Sequence, residues 1–137
     1  MAPDVDELLA AARAVQASAY APYSRFRVGA AIRTASGRVF SGCNVENAAY
    51  PQGSCAEAGA ISAMVAAGER DIVAVLTVCD GEAIGTCCGG CRQRLREFAP
   101  GNTPVYAAGP EGVRATFTLD DLLPHSFGPE NLSEFQQ

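Results

Sequence analysis

Two short segments hold the residues best suited to chemistry: Ser54-Cys55-Ala56-Glu57 and Thr86-Cys87-Cys88-Gly89-Gly90-Cys91. Cys88 and Cys91 have the C-x-x-C spacing that lets two thiolates reach one tetrahedral Zn²⁺. Both fall where a helix is predicted to begin, and so does Cys55. A helix N-terminus lowers a thiol's pKa, because its free N–H groups and its dipole favour the anion. Three such thiolates would leave one of zinc's four positions open, which a catalytic zinc keeps and a structural zinc lacks. Glu57 stands two residues beyond Cys55 and does not share a helix face with it. The two converge if the metal lies beyond the helix end, near its axis, and Glu57 is then beside the ion without ligating it. A proton shuttle is needed there. Zinc lowers the pKa of its water from about 15.7 toward about 7, and a carboxylate can take that proton and return it to a leaving group.

Plainer readings of the same residues stand beside this one. Ser54-x-x-Glu57 matches a capping box, with Glu57 merely closing a helix turn. A lone C-x-x-C also fits a redox pair. Cys43 or Cys87 could close a Cys₄ site in a non-enzymatic, zinc-stabilised interaction domain. The full pattern, Cys-x-Glu and then C-x-x-C about thirty residues later with a strand between, is more specific than either half.

The elements that must position these residues follow from patterning. Asp4 to about Ala19 reads as a helix, with Val5, Leu8, Leu9, Ala12 and Val15 at helical spacing and Asp4 and Glu7 as a capping box. Ala21-Pro22-Tyr23-Ser24 breaks it. Phe26–Ile32 and Arg38–Cys43 read as two antiparallel strands around a turn at Ser36-Gly37. Asn44 to Ser54 is a loop. Cys55 to about Ala67 reads as a helix with Ala60, Ile61, Met64 and Val65 inward and Gly68 as its stop. Ile72–Cys79 is a nearly unbroken apolar run, the sign of a strand buried on both faces. Gly89–Phe98 is a further helix ended by Pro100. Thr103–Ala107 and Arg114–Phe117 are short strands, Leu119–Leu123 a helical turn, and the rest a loop-like tail. Helices interleaved with strands predict a three-layer α/β/α sandwich on a mixed five-stranded sheet, with parallel strands across each βαβ crossover.

The 137 residues suit one domain, expected to span 1–137. Hydrophobic residues at 48% and charged residues at 18% describe a folded chain rather than a disordered one. No apolar run approaches the roughly 20 residues of a membrane span, and Met1 to Leu9 carries acidic residues where a signal peptide has basic ones, so no membrane association or export is expected. Six cysteines then belong to a reducing, cytoplasmic setting and to metal or reactive chemistry rather than to disulfides. Ten basic residues against fifteen acidic give a net charge of −5, which argues against nucleic acid as the partner but not against a small neutral ligand.

Together these residues resemble the cytidine deaminase family of zinc-dependent nucleoside deaminases, whose signature joins His/Cys-x-Glu to Pro-Cys-x-x-Cys with a non-ligating Glu. The likeness extends to the stretch from Ala19 to Ala31, to Gly42-Cys43-Asn44-Val45-Glu46-Asn47-Ala48-Ala49-Tyr50, to Cys91-Arg92-Gln93, and to Leu122-Leu123-Pro124-His125-Ser126-Phe127, so it covers nearly the whole chain and points to the short, free-nucleoside branch. The resemblance implies one zinc per subunit on Cys55, Cys88 and Cys91, with Glu57 moving protons. It implies that Asn44 and Glu46 hydrogen-bond the ribose at its 3′-hydroxyl and that Phe26 lies against the base. It further implies that the Ala56 N–H meets the pyrimidine 2-oxo group and the Thr86 carbonyl the 4-amino group. Tyr50 and Phe127 resemble residues that the family lends to a neighbouring subunit in a homotetramer. The implied activity is hydrolysis of cytidine and 2′-deoxycytidine to the uridines and ammonia, as in pyrimidine salvage, with a modified or antibiotic cytosine nucleoside as the alternative substrate.

Two departures from the family pattern matter. Ala58 stands where many members have Arg or a polar residue straight after the catalytic Glu. Three thiolates and Zn²⁺ sum to −1, and a nearby Arg would draw charge off a thiolate; Arg92 and the helix dipoles are the expected substitutes. Cys87 stands where Pro is usual, and is expected to be a packed spare thiol. His125, the only histidine, is expected to have a surface or packing role.

Overall fold

The computed structural model describes residues 3–135. Helix α1 (Pro3–Gln16) is followed by strands β1 (Val28–Thr34) and β2 (Val39–Cys43), helix α2 (Ala56–Ala66), strand β3 (Ile72–Cys79), helix α3 (Gly89–Arg96), strands β4 (Pro104–Gly109) and β5 (Gly112–Thr118), and the single turn α4 (Leu119–Leu122). The sheet order is β2-β1-β3-β4-β5. β1 pairs antiparallel with both β2 and β3, β3 and β4 are parallel, and β5 returns antiparallel to β4. Each βαβ crossover therefore joins strands that run the same way, as the interleaved pattern predicts, with β1 lying between β2 and β3.

Two apolar layers sandwich the sheet. Val5, Leu8, Leu9 and Ala12 form one stripe of α1, at the spacing that places residues on a single helix face, and meet Ala31, Leu76 and Val78. Neighbouring strand residues point the opposite way. Ile32 and Val75 accordingly meet Ala60, Ile61 and Met64 of α2 and Cys91 and Leu95 of α3 on the other face. β3 is buried along all its length except Val73 and the partly covered Ala74, which explains its continuous apolar run.

One close approach fixes the helix that matters most. A Cβ on Gly42 of β2 would stand 2.4 Å from the Ala60 nitrogen and 2.5 Å from the Ala56 carbonyl oxygen of α2. Only glycine lets α2 settle this deeply on the sheet, and so its N-terminus is set by contact rather than by a cap. The turns expected at Gly37 and Gly68 form with positive φ, at 91° and 88°. Thr118 and Asp121 close α4 with a reciprocal capping box.

Several boundaries differ from the sequence reading. α1 ends at Gln16 rather than Ala19, because Tyr20 leaves the helix to bridge Val45. β1 begins at Val28 rather than Phe26, because the Asn44 side chain takes the backbone groups of Phe26 and Val28. The expected loop Asn44–Ser54 is ordered by a bridge between Val45 and Ser54 and a 3₁₀ turn at Tyr50–Gln52. The tail adds two more 3₁₀ turns, at Pro129–Asn131 and Ser133–Phe135. No helix is long and apolar enough to cross a membrane among the described residues.

Candidate active site

Helices α2 and α3 aim their N-termini at one point. Cys55 is the N-cap residue of α2 and Cys88 that of α3, each extended and neither making a side-chain cap bond. The first free backbone N–H groups of both helices, with their partial positive charge, therefore surround the cysteine sulfurs. The Sγ atoms of Cys55, Cys88 and Cys91 all lie within 4.8 Å of one another, and Cys55 Sγ and Cys88 Sγ are 3.8 Å apart. Tetrahedral zinc with Zn–S bonds of about 2.3 Å places its sulfurs about 3.8 Å apart. The donor set thus fits zinc in chemistry and in spacing. Among the described residues no fourth His, Cys, Asp or Glu joins the group, so Cys43 and Cys87 do not complete a Cys₄ site.

The thiols differ in how they sit. Cys91 is buried and Cys55 partly so, while Cys88 is exposed. Burial, then the nearby Glu57 carboxylate, push the Cys91 thiol far above its ordinary range. Burial also raises Cys55. Burial opposes the Cys88 thiolate too, but the Cys91 N–H and the two neighbouring thiols together outweigh it and bring Cys88 below its ordinary value. Cys87 is a buried core residue whose thiol is pushed up by burial and by Glu57. Its place in the apolar cluster matches the packed spare thiol expected of it.

Glu57 lies in the first turn of α2 and is only 4% exposed. The capping-box alternative does not describe it: the N-cap is Cys55, not Ser54, and its side chain closes no cap. A cleft of about 390 Å³ opens beside it, lined by Cys55, Ala56, Glu57, Thr86 and Cys88 together with Phe26, Asn44, Glu46 and Tyr50. That volume is in the range of small-molecule sites. Phe127 is exposed elsewhere, its carbonyl accepting from the Gln93 amide at 2.9 Å.

Asn44 and Glu46 are already committed to the chain. The Asn44 Oδ1 accepts from the Val28 N–H at 2.9 Å and its Nδ2 donates to the Phe26 carbonyl at 2.8 Å. Glu46 accepts from the N–H groups of Tyr23 at 2.9 Å and Ser24 at 3.1 Å, and from the Ser24 hydroxyl. The Ser24 hydroxyl and then its N–H hold the Glu46 carboxyl below the ordinary carboxylate value. These bonds brace a turn in which Arg25 adopts a left-handed φ of 62°, a conformation costly for a residue with a side chain. The braced turn delivers Phe26 to the cleft.

Arg92 donates to the Cys87 carbonyl, the Leu122 carbonyl and the Thr86 hydroxyl, each at 2.7 Å. It ties the ligand loop to α4 rather than touching a sulfur. The guanidinium that does touch one is Arg94, whose NH1 donates to Cys91 Sγ at 3.5 Å. Reading the sequence missed Arg94, since a charge on an exposed helix face carries no local signal. His125 is exposed in the tail, as expected.

Known proteins resemble this chain. The model of the cytidine and deoxycytidylate deaminase zinc-binding region matches residues 3–107. A cytidine deaminase of Sporosarcina psychrophila is 41% identical over 130 residues, 95% of this chain and 96% of that one. One from Mycobacterium tuberculosis is 40% identical over 132 residues, with the same coverage. The crystal structure of cytidine deaminase from Burkholderia pseudomallei superposes with a TM-score of 0.84 at 40% identity, covering 93% of this chain and all of that one. The cytidine deaminase of Mycobacterium leprae gives 0.74 at 41%, covering 88% and 97%.

Proposed function

The chain belongs to the cytidine and deoxycytidylate deaminase zinc-binding family, and from that premise we propose that it is a hydrolytic deaminase of cytidine and 2′-deoxycytidine, working as one catalytic domain. Water is consumed, oxygen replaces nitrogen at C4 of the base, and ammonia leaves. The observation that carries this reading is the pairing of a three-sulfur cluster with a buried carboxylate beside a nucleoside-sized cleft. Cys55, Cys88 and Cys91 would hold one zinc, which when bound supplies a Lewis acid that makes water nucleophilic near neutral pH.

The chain's own residues do the rest. Glu57 accepts one proton from the attacking water and hands it to N3 of the base, then takes the remaining proton from the new C4 hydroxyl and hands it to the amine, which leaves as ammonia. Burial holds its carboxyl away from competing solvent. The Ala56 N–H, free at the α2 N-terminus, meets the 2-oxo group, and the Thr86 carbonyl meets the 4-amino group. Phe26 lies against the base.

The ribose contacts that the resemblance implies are supported by a count of donors and acceptors. An amide nitrogen carries two hydrogens, and Asn44 uses one on Phe26. An ionised carboxylate offers about four lone pairs, and Glu46 has three in use. One N–H and one lone pair remain, the complement of a hydroxyl that both accepts and donates, such as the 3′-hydroxyl.

Tyr50 and Phe127 are 77% and 58% exposed, and Tyr23 stacks edge-on against Tyr50 with ring centroids 6.1 Å apart. Large apolar groups left open at the surface favour a homotetramer in which neighbouring subunits cover them. A cytoplasmic setting fits free cysteines that form no disulfide among the described residues.

The test is a panel of cytidine, 2′-deoxycytidine, free cytosine and base-modified cytidines, read by ammonia release. Turnover of the two nucleosides, with free cytosine far slower, supports the proposal. No ammonia from any cytosine compound overturns it.

A further inference from the structure

Three thiolates and Zn²⁺ carry a net charge of −1, and excess thiolate charge weakens zinc both as a Lewis acid and in competition with protons. Something in the chain must offset it. Ala58, beside Glu57, has no charge to offer. Arg92 directs its guanidinium at the Cys87 and Leu122 carbonyls and the Thr86 hydroxyl. The two helix N-termini contribute only partial charges.

Arg94 remains. It lies on α3 three residues beyond Cys91, and helical side chains lean back toward the N-terminus over the i−3 and i−4 positions. Its NH1 accordingly reaches Cys91 Sγ at 3.5 Å. The residue four before it is Gly90, where a Cβ would stand only 3.4 Å from that same NH1. No carboxylate is within ion-pair distance of Arg94 among the described residues, so its charge is not already neutralised.

We propose that Arg94 is the positioning cation of the metal site: its guanidinium, folded back over Gly90, donates to Cys91 Sγ and offsets the third thiolate, so that the zinc is retained. The proposal rests on the zinc-site reading above. It assigns to α3 the charge that the residue after Glu57 does not provide.

The test compares the holoenzyme with Arg94→Met, which keeps the length and apolar stem, and Arg94→Lys, which keeps a cation and a donor. Arg94 is exposed, so neither change disturbs the core, and circular dichroism verifies the fold. The readout is the rate at which zinc passes to an excess of a chromophoric chelator, with no substrate present. Removing a group that hydrogen-bonds a metal ligand costs about 10–100-fold in metal affinity. Arg94→Met should therefore lose zinc at least tenfold faster than wild type, and Arg94→Lys should stay within about threefold of wild type. Release from Arg94→Met within twofold of wild type, or equally fast release from both variants, would overturn the proposal. A wild-type protein that purifies and reconstitutes without zinc would instead defeat the zinc-site reading itself.

Discussion

Asn44 fastens the start of β1 to the loop before it: its amide donates to the Phe26 carbonyl at 2.8 Å and accepts from the Val28 N–H at 2.9 Å. One side chain thus replaces two rungs of a strand ladder and sets the height at which Phe26 meets the cleft. Asn44→Ala leaves both backbone groups without this partner and should lower stability by about 1–3 kcal/mol, with a raised KM. Asn44→Asp can still accept from Val28, but sets a carboxylate oxygen against the Phe26 carbonyl and so should lose stability as well. Urea titration measures both, and an Ala variant as stable as wild type would refute the clamp.

Gly42 predicts a coupled loss of stability and rate. A methyl group there meets the backbone of α2 at Ala56 and Ala60, and backbone cannot rotate away. Gly42→Ala should destabilise by about 1–3 kcal/mol, as overpacking does. It should also lower kcat more than tenfold, because α2 carries Cys55 and Glu57 and sub-ångström displacements of reacting groups are costly. A variant with wild-type melting and turnover would show that α2 is not positioned by this contact.

The neighbouring cysteines Cys87 and Cys88 should behave in opposite ways. Cys88 Sγ belongs to the three-sulfur group, whereas Cys87 is packed into the apolar core. Cys88→Ser should lose most of its zinc, and Cys87→Ser should retain one per chain. Metal analysis after dialysis decides, and the reverse pattern would move the ligand by one residue.

Glu46 gives a pH prediction. Its folded-state pKa lies below the ordinary 4.5 because the Ser24 hydroxyl and the Ser24 and Tyr23 N–H groups bond the charged form. A depressed carboxylate pKa adds stability that is complete above the unfolded value and is lost as pH falls through the folded value. Thermal melts of wild type should therefore exceed those of Glu46→Gln at neutral pH, and the gap should close below about pH 4.5. A gap that widens in acid would contradict the assignment.

Charge also separates nucleosides from nucleotides. None of the residues lining the cleft is Lys or Arg, and Glu46 is an anion within it. A 5′-phosphate would meet repulsion with no compensating cation. Deoxycytidylate should show kcat/KM at least tenfold below that of 2′-deoxycytidine at low ionic strength, and equal values would show that a cation outside the cleft serves the phosphate.

Much of this site is legible in the sequence because its parts are local. The apolar run Ile72–Cys79 announces a buried strand, and it forms over those residues. Cys55 and Cys88 announce helix starts, and both become N-caps. The misreadings share one cause, long-range pairing. Tyr20 leaves the first helix because Val45 is there to bridge it, and Phe26 falls outside β1 because a side chain 18 residues away captures its carbonyl. Arg92 and Arg94 look alike as letters two apart on a helix. Only the fold reveals that one faces the carbonyls of Cys87 and Leu122 and the other a sulfur.

The most direct test of the account is turnover and zinc content measured together for Glu57→Gln. The variant keeps the three sulfurs and a side chain of the same size, but cannot carry the proton. It should hold one zinc per chain while ammonia release from cytidine falls by about 10²–10⁴-fold, the usual contribution of a general acid–base group. Full zinc with undiminished turnover would mean that some other group moves the proton, and the central claim would fail.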